Sequence, residues 1–305
     1  MKSSAKAFAP GNISCIFKIY EHQNPAKMGS LGLGFTVNKG VMVEAVPSSK
    51  TEVYFNKKKI NFPTVKSVVK KLIPGKNKKV RINISSDLPL GSGFGLSGAS
   101  ALAAAYALNS LLDLKYTNLE LAKIAHIAEV ENRTGLGDVV NQYFGGFLLK
   151  LKPSSEFIAE KIPLEDIPVY CKYFSKLSTK AVLSDPKLKE TINQSATEAL
   201  EKIVIARSTT IVGDEAISIN NGIATLLSVA RNDSKKAFSD LIVLSKEFAL
   251  NSGLLTNKKV ISTIKKIEGG GGHASMIMLG NSVFSDIPFT GSLKLRISNT
   301  PAHLL

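Results

Sequence analysis

Four glycines stand in the segment Asp87-Leu88-Pro89-Leu90-Gly91-Ser92-Gly93-Phe94-Gly95-Leu96-Ser97-Gly98-Ala99-Ser100, just ahead of an alanine-rich run that reads as a helix. Glycine permits positive φ and close approach of the backbone to a ligand, and the first amides of a helix offer unpaired N–H donors at the positive end of its dipole. Such a junction suits a phosphate, whereas a tight strand-to-helix turn alone accounts for one or two of the glycines. The Gly-Lys-Ser/Thr ending of a P-loop is absent. Gly93 to Gly98 does match the dinucleotide fingerprint, with Asp113 twenty residues after Gly93. That fingerprint needs a second parallel strand ending at the acidic residue, however, and here two helical patterns follow in succession. A nicotinamide cofactor is therefore not expected.

Two carboxylates follow the loop. At about 100° per residue, Lys123, Glu120 and Glu131 share one wet arc of the second helix, while Glu129 falls between Ala122 and Ala125 on the apolar arc with His126 at its edge. A buried carboxylate costs several kcal/mol unless it is paired. Mg²⁺ held jointly with nucleotide phosphates would compensate Glu129, as would a salt bridge at a domain contact. Asp138 lies in Thr134-Gly135-Leu136-Gly137-Asp138-Val139-Val140-Asn141-Gln142. It could cap the short helix that follows, or serve a substrate hydroxyl as general base beside the phosphate loop. A second glycine cluster, Gly269 to Gly272, leads through His273 into an apolar strand, and suggests either a tight backbone approach or a flexible loop. His273 has no partner visible in sequence, and His22 and His303 read as surface residues.

The elements that position these groups can be traced along the chain. Short strands are expected at Phe35 to Val37, Val41 to Val46, Glu52 to Phe55 and Val80 to Ile84, with a lysine-rich helix from Thr64 to Leu72. Helices follow at Ser97 to Leu112 and Asn118 to Asn132, the second opened by Thr117 with Glu120 as a capping box, and then a strand at Phe147 to Leu151. Lys152-Pro153-Ser154-Ser155 marks a boundary between domains 1–152 and 153–305. Beyond it, helices at Lys189 to Ile205, Ile217 to Ala230 and Ser234 to Asn251 alternate with strand-like runs such as Ala274 to Leu279, an α+β pattern.

Composition narrows the class. At 305 residues and 44% apolar content the chain can bury one large core or two of about 150 residues. Two cysteines, Cys15 and Cys171, are too few for a disulfide framework. The first residues carry no apolar segment and no run approaches the roughly 18 apolar residues of a membrane span, so a cytoplasmic protein without a membrane partner is expected. The formal charge of +15 raises nucleic acid as a partner, but lysine outnumbers arginine 34 to 5 and the lysines scatter. A solvated basic surface that attracts anionic substrates is the reading here, rather than a nucleic-acid footprint.

Taken together, Ala9-Pro10-Gly11-Asn12, the Pro89 to Ala99 loop and the Gly269 to Gly272 cluster resemble, in order, the three motifs of the GHMP kinases, and the likeness spans nearly the whole chain. Within that superfamily, Ala125 to Val140 followed by Gly145-Gly146, with Gly29-Ser30-Leu31-Gly32-Leu33-Gly34 near the start, is similar to the archaeal pantoate kinase family. The resemblance implies an N-terminal domain like ribosomal protein S5 domain 2, a C-terminal ferredoxin-like domain, and ATP and substrate in the cleft between them. It implies phosphoryl transfer from MgATP to the 4-hydroxyl of pantoate, giving 4-phosphopantoate for coenzyme A synthesis, by a homodimer. It assigns the loop residues Pro89, Gly91, Ser92, Gly93, Phe94, Gly95, Leu96, Ser97, Gly98 and Ala99 to ATP, and Ser97 and Glu129 to Mg²⁺ and phosphates. Asp138 would activate or orient the hydroxyl, and Ser30, His126 and Lys150 would recognise pantoate. Asn12 stands where these kinases carry His or Lys, so no cation at that position assists Asp138, and Lys150 stands where the family usually has Arg. A mevalonate or homoserine kinase is the nearest alternative, and a basic nucleic-acid binder with an S5-like domain the more distant one.

Overall fold

The computed structural model describes residues 2–75, 78–177, 179–205 and 233–305; the helix expected over 217–230 lies outside them. Two long antiparallel strands, β1 (Ala5–Tyr20) and β2 (Gly29–Pro47), pair from Ala5 opposite Ala45 to Tyr20 opposite Gly29. The sequence suggests shorter pieces, Phe35 to Val37 and Val41 to Val46 within β2. In the sheet the strands run on through irregularities instead. The register shifts at Pro10/Gly11 and again at Ser14/Ile16, and such bulges bend a strand without ending it.

The bend lets β2 serve two partners. Its second half pairs with β5 (Val80–Ser85) and its first half with β6 (Phe147–Lys150). β5 also runs parallel to β3 (Glu52–Phe55), the crossover carrying the short β4 (Lys58–Lys59) and α1 (Pro63–Leu72). The larger sheet is completed by β7 (Glu160–Ile162) on β6 and β12 (His303–Leu304) on β1. Strands from beyond Lys152 therefore belong to both sheets. The smaller sheet runs β11 (Leu293–Arg296), β8 (Pro168–Ser175), β10 (Asn281–Ser285), β9 (Ala274–Met276).

Helix α2 (Leu96–Leu112) is the buried axle of the first half. Ala99, Ala101, Ala103, Ala104, Ala105 and Ala107 are all fully buried, as expected for a helix apolar on every side, and methyl-sized side chains allow β1, β2, α1 and α3 to approach closely. Helix α3 (Asn118–Asn132) starts with the expected box: Thr117 N–H donates to Glu120 at 2.8 Å and Glu120 N–H to Thr117 Oγ1 at 3.3 Å. α4 (Asp138–Phe144), α5 (Thr179–Ser184), α6 (Pro186–Ile205), α7 (Ser234–Asn251) and α8 (Lys258–Gly269) complete the described helices. α8 is not among the helices expected from sequence; it is short, lysine-rich and runs straight into the glycine cluster.

One core joins the halves. Phe35 of β2 stacks on Phe147 with centroids 5.1 Å apart and meets Phe238 of α7 and Phe284 of β10 edge-on at 5.8 and 5.9 Å; such pairs add about 0.5–1.5 kcal/mol each beyond their burial. Cys15 and Cys171 are free and buried, and burial pushes both thiols up. Among the described residues no helix is long and apolar enough to cross a membrane.

Candidate active site

The glycine segment is a tight crossing between β5 and α2. Gly91, Gly93 and Gly95 take φ of 81°, 91° and 60°, conformations that other residues enter at a cost. Gly95 is the N-cap of α2, and no side chain caps that helix, so its first N–H groups keep their capacity for an outside acceptor. The loop is gripped from two sides. Asn12 N–H donates to the Phe94 carbonyl at 2.9 Å from β1. From the smaller sheet, Ser282 Oγ donates to the Ser92 carbonyl at 2.8 Å, and a Cβ on Gly280 would overlap that same carbonyl.

A cleft of about 350 Å³ opens over this loop. Gly91 and Gly93 to Ser97 form one wall, Thr134 to Asp138 another, and Met278 and Leu279 reach in from the β9–β10 turn. Of the residues expected to meet acceptor or metal, Ser97, Asp138, Ser30 and Lys150 line the cleft. Pro89, Ser92, Gly98 and Ala99 stand behind its surface, Ser92 donating its hydroxyl to the Pro89 carbonyl. His126 does not line it. Its ring is buried, shares a 2.9 Å hydrogen bond between Nε2 and the Met28 carbonyl, and meets Phe157 edge-on. Burial holds that imidazole below its ordinary range, which keeps it neutral.

Glu129 lies immediately behind the loop and is fully buried, as its place on the apolar arc of α3 suggests, while Glu131 reaches Lys71 at 2.8 Å on the outer face. Among the described residues no basic side chain pairs with Glu129, so the salt-bridge alternative has no partner there. Its carboxylate faces two bare backbones: a Cβ on Gly98 or on Gly135 would come within 2.7 Å of Oε2. Oε1 accepts a 3.4 Å bond from Thr134 Oγ1, and Oε2 has no partner. Thr134 and Ser97 are joined through Thr64 by hydroxyl bonds of 3.0 and 3.1 Å. Burial first and the nearby Asp138 second raise the Glu129 carboxyl well above its ordinary value.

Asp138 opens α4 without capping it, since Gly137 is the N-cap and no side-chain cap bond forms. Its Oδ1 turns instead toward β1, accepting from Asn12 Nδ2 at 2.6 Å and from Ser14 Oγ at 3.4 Å. Burial raises this carboxyl too, against the opposing pull of Asn12, Lys150 and Ser14. Lys150 ends β6 beneath the same turn, donating to Asn141 Oδ1 at 2.6 Å and to the Gly137 carbonyl at 3.3 Å. Desolvation pushes its ammonium down to about 8, with Asp138 holding it up.

These groups fit a divalent ion accompanied by phosphates. Among the described residues no three His, Cys, Asp or Glu side chains converge on a metal-sized site. A buried, unpartnered carboxylate oxygen beside Ser97 at an uncapped helix start suits an ion that draws its remaining ligands from a triphosphate. The late glycine cluster plays another part: Gly271 and Gly272 donate back to Glu268 and Ile267, closing α8. Only Gly272 is tightly approached, by Ile287. His273 has found a partner there, its Nδ1 lying 2.7 Å from Asp286 Oδ2, and it does not line the cleft.

Thr64, Ser14, Asn141 and Gln142 are site residues that the sequence reading missed. Thr64 and Ser14 come from distant elements and carry no sequence signal. Asn141 does, because it stands three residues after Asp138 and hence on the same face of α4.

The GHMP kinases N terminal domain model matches residues 63–146, which span α1 to the Gly145-Gly146 turn. The pantoate kinase of Methanocaldococcus jannaschii is 35% identical over 281 residues, covering 91% of this chain and 90% of that protein. The chain belongs to the GHMP kinases. Relatives matched along nearly the full length include a further pantoate kinase, that of Methanospirillum hungatei, at 28% identity over 92% of this chain and 86% of that one. A solved structure described as a phosphotransferase related to the CoA biosynthesis pathway superposes with a TM-score of 0.76 at 26% identity, covering 99% and 98% of the two chains.

Proposed function

We propose that this chain is an ATP-dependent pantoate kinase that transfers the γ-phosphoryl group of ATP to the 4-hydroxyl of pantoate, releasing ADP and 4-phosphopantoate. The observation that carries this reading is the convergence of a fully buried carboxylate, Glu129 from α3, and a half-buried one that faces the cleft, Asp138 from α4, on the uncapped start of α2. A Cβ on Gly98 would lie 2.7 Å from Glu129 Oε2 and one on Gly95 3.0 Å from the Asp138 carboxyl carbon.

The loop amides and the α2 dipole receive the nucleotide phosphates. Ser97 and Glu129 would hold Mg²⁺, which would supply charge neutralisation along the phosphate chain. Asp138 accepts the hydrogen bond of the acceptor hydroxyl and orients its oxygen in line with the phosphorus. As the O–P bond forms and the bond to ADP breaks, the hydroxyl proton passes toward Asp138. A carboxyl raised by burial is better matched to that task than an ordinary one. Lys150 and Ser30, close to Asp138 on the same wall, receive the acceptor's carboxylate. His126, neutral and behind the wall, supports Met28 and the turn before Ser30. The protein acts as a homodimer in the cytoplasm, binding neither nucleic acid nor membrane.

The test is an ADP-release assay on a panel of hydroxylated acceptors. Turnover on pantoate at least about tenfold more efficient than on mevalonate or homoserine is the expected result. Preference for either of the latter overturns the acceptor assignment. Retention on nucleic acid at physiological salt without turnover on any acceptor overturns the kinase reading itself.

A further inference from the structure

Three hydrogen bonds run head to tail beneath the cleft floor. Lys150 Nζ donates to Asn141 Oδ1 at 2.6 Å, Asn141 Nδ2 to Asn12 Oδ1 at 2.8 Å, and Asn12 Nδ2 to Asp138 Oδ1 at 2.6 Å. Both carboxamides are fully buried, and neither belongs to the cleft lining. Their orientation is fixed by the two ends of the chain. An ammonium can only donate and an ionised carboxylate can only accept, so each amide must turn its oxygen toward Lys150 and its nitrogen toward Asp138. Flipping either amide sets donor against donor or acceptor against acceptor in a place that water does not reach. Such chains polarise along their length, and burial strengthens each link.

The backbone makes room for this arrangement. Asn141 shares a face of α4 with Asp138, and a Cβ on Gly34 would come within 2.9 Å of Asn141 Nδ2. Asn12 lies on β1 and Lys150 at the end of β6, so the chain ties three elements to one carboxylate. Buried carboxamides whose oxygen and nitrogen are both engaged specify geometry more than they add stability.

We propose that Asn141 and Asn12 are positioning residues that hold the Asp138 carboxylate toward the acceptor hydroxyl and relay the charge of Lys150 to it. Lys150 serves two ends of the site at once, facing the cleft and anchoring the relay. The proposal rests on the reading of Asp138 as the group that receives the hydroxyl hydrogen bond.

Steady-state kinetics of Asn12→Ala, Asn141→Ala and the double variant test it. Each single change is expected to lower kcat about thirtyfold, with KM for ATP and pantoate within about threefold of wild type. Because the two residues act in series, the double variant should fall no more than about threefold below the worse single one. Asn141→Asp keeps the volume and still accepts from Lys150 but has no proton to give Asn12, so it should match Asn141→Ala. Unchanged kcat in Asn141→Ala or Asn141→Asp, losses confined to KM, or losses that multiply in the double variant each overturn the relay. A second readout does not depend on turnover. With wild type and variant both labelled with ¹⁵N-asparagine, Lys150→Met should move the side-chain amide signals of both Asn141 and Asn12; an unmoved Asn12 signal overturns the relay. If the wild type ignores pantoate while Asn12 still responds to Lys150→Met, the relay stands and the acceptor assignment fails alone.

Discussion

Glu129 and Asp138 are carboxylates that the fold places where ionisation is costly, and that cost is measurable. Burial raises the Glu129 carboxyl above its unfolded value. Its favourable contribution to folding is therefore complete below the ordinary carboxylate range and is lost as pH climbs through the raised value. Glu129→Gln cannot ionise, so without metal its gain in Tm over wild type should be wider at pH 8 than at pH 5; an equal gain at both would mean the carboxyl pays no burial cost. The same variant should raise the Mg²⁺ concentration needed for half-maximal turnover at least about tenfold. Asp138→Asn should lower kcat by about 10² to 10⁴ while calorimetry finds MgATP affinity within about twofold of wild type. Lys150 loses its proton as pH rises through about 8, so kcat/KM for pantoate should fall above that point. Lys150→Arg stays charged and should flatten the fall, and an identical slope in both proteins would remove Lys150 from carboxylate recognition. Glu129 was legible because a helical arc exposes a misplaced charge. Asp138 was legible as important but not as to role, since capping and catalysis ask for the same residue at the same turn. His126 shows the limit of spacing, because three residues on a helix share a face but not a neighbour.

At the scale of elements, the decisive contact is the β9–β10 turn against the glycine loop. Nothing in sequence announces it, because Gly280 and Ser282 lie nearly two hundred residues from Ser92 and look like ordinary turn and strand residues. Gly280→Ala must push the Ser92 carbonyl aside. It should raise KM for ATP at least about fivefold and cost roughly 1–3 kcal/mol in urea unfolding; unaltered ATP affinity would show that the loop holds its shape unaided. The expected helices over α3 and α7 match because their caps are local properties, and α2 matches because its alanine run is local too. β2 reads as two fragments in sequence because a bulge and a turn use the same residues, and only pairing across the sheet tells them apart. The late glycines divide in a similar way: close approach governs Gly272, and the rest finish α8.

For the molecule as a whole, the excess of 15 positive charges meets two substrates that are anions. A field of that sign speeds encounter and is screened within about 10 Å at 0.1 M salt. kcat/KM for ATP should therefore decline at least about threefold between 20 and 500 mM KCl while kcat changes less. A flat salt profile would leave the lysines to solubility alone. The α+β class and the phosphate loop were legible from pattern, and the wider likeness came from ordered motifs. How strands from beyond Lys152 return to the larger sheet was not, since a three-residue strand such as β7 carries no periodicity.

The grip on Ser92 also bears on modularity. A protein engineer who cut this chain near Lys152 to harvest a portable nucleotide binder would leave behind the turn that braces the loop and the β12 strand that borders β1. Chimeras that exchange halves between relatives should work only when Gly280 and Ser282 travel with the loop they hold, so inheritance here runs by contact pair rather than by contiguous stretch.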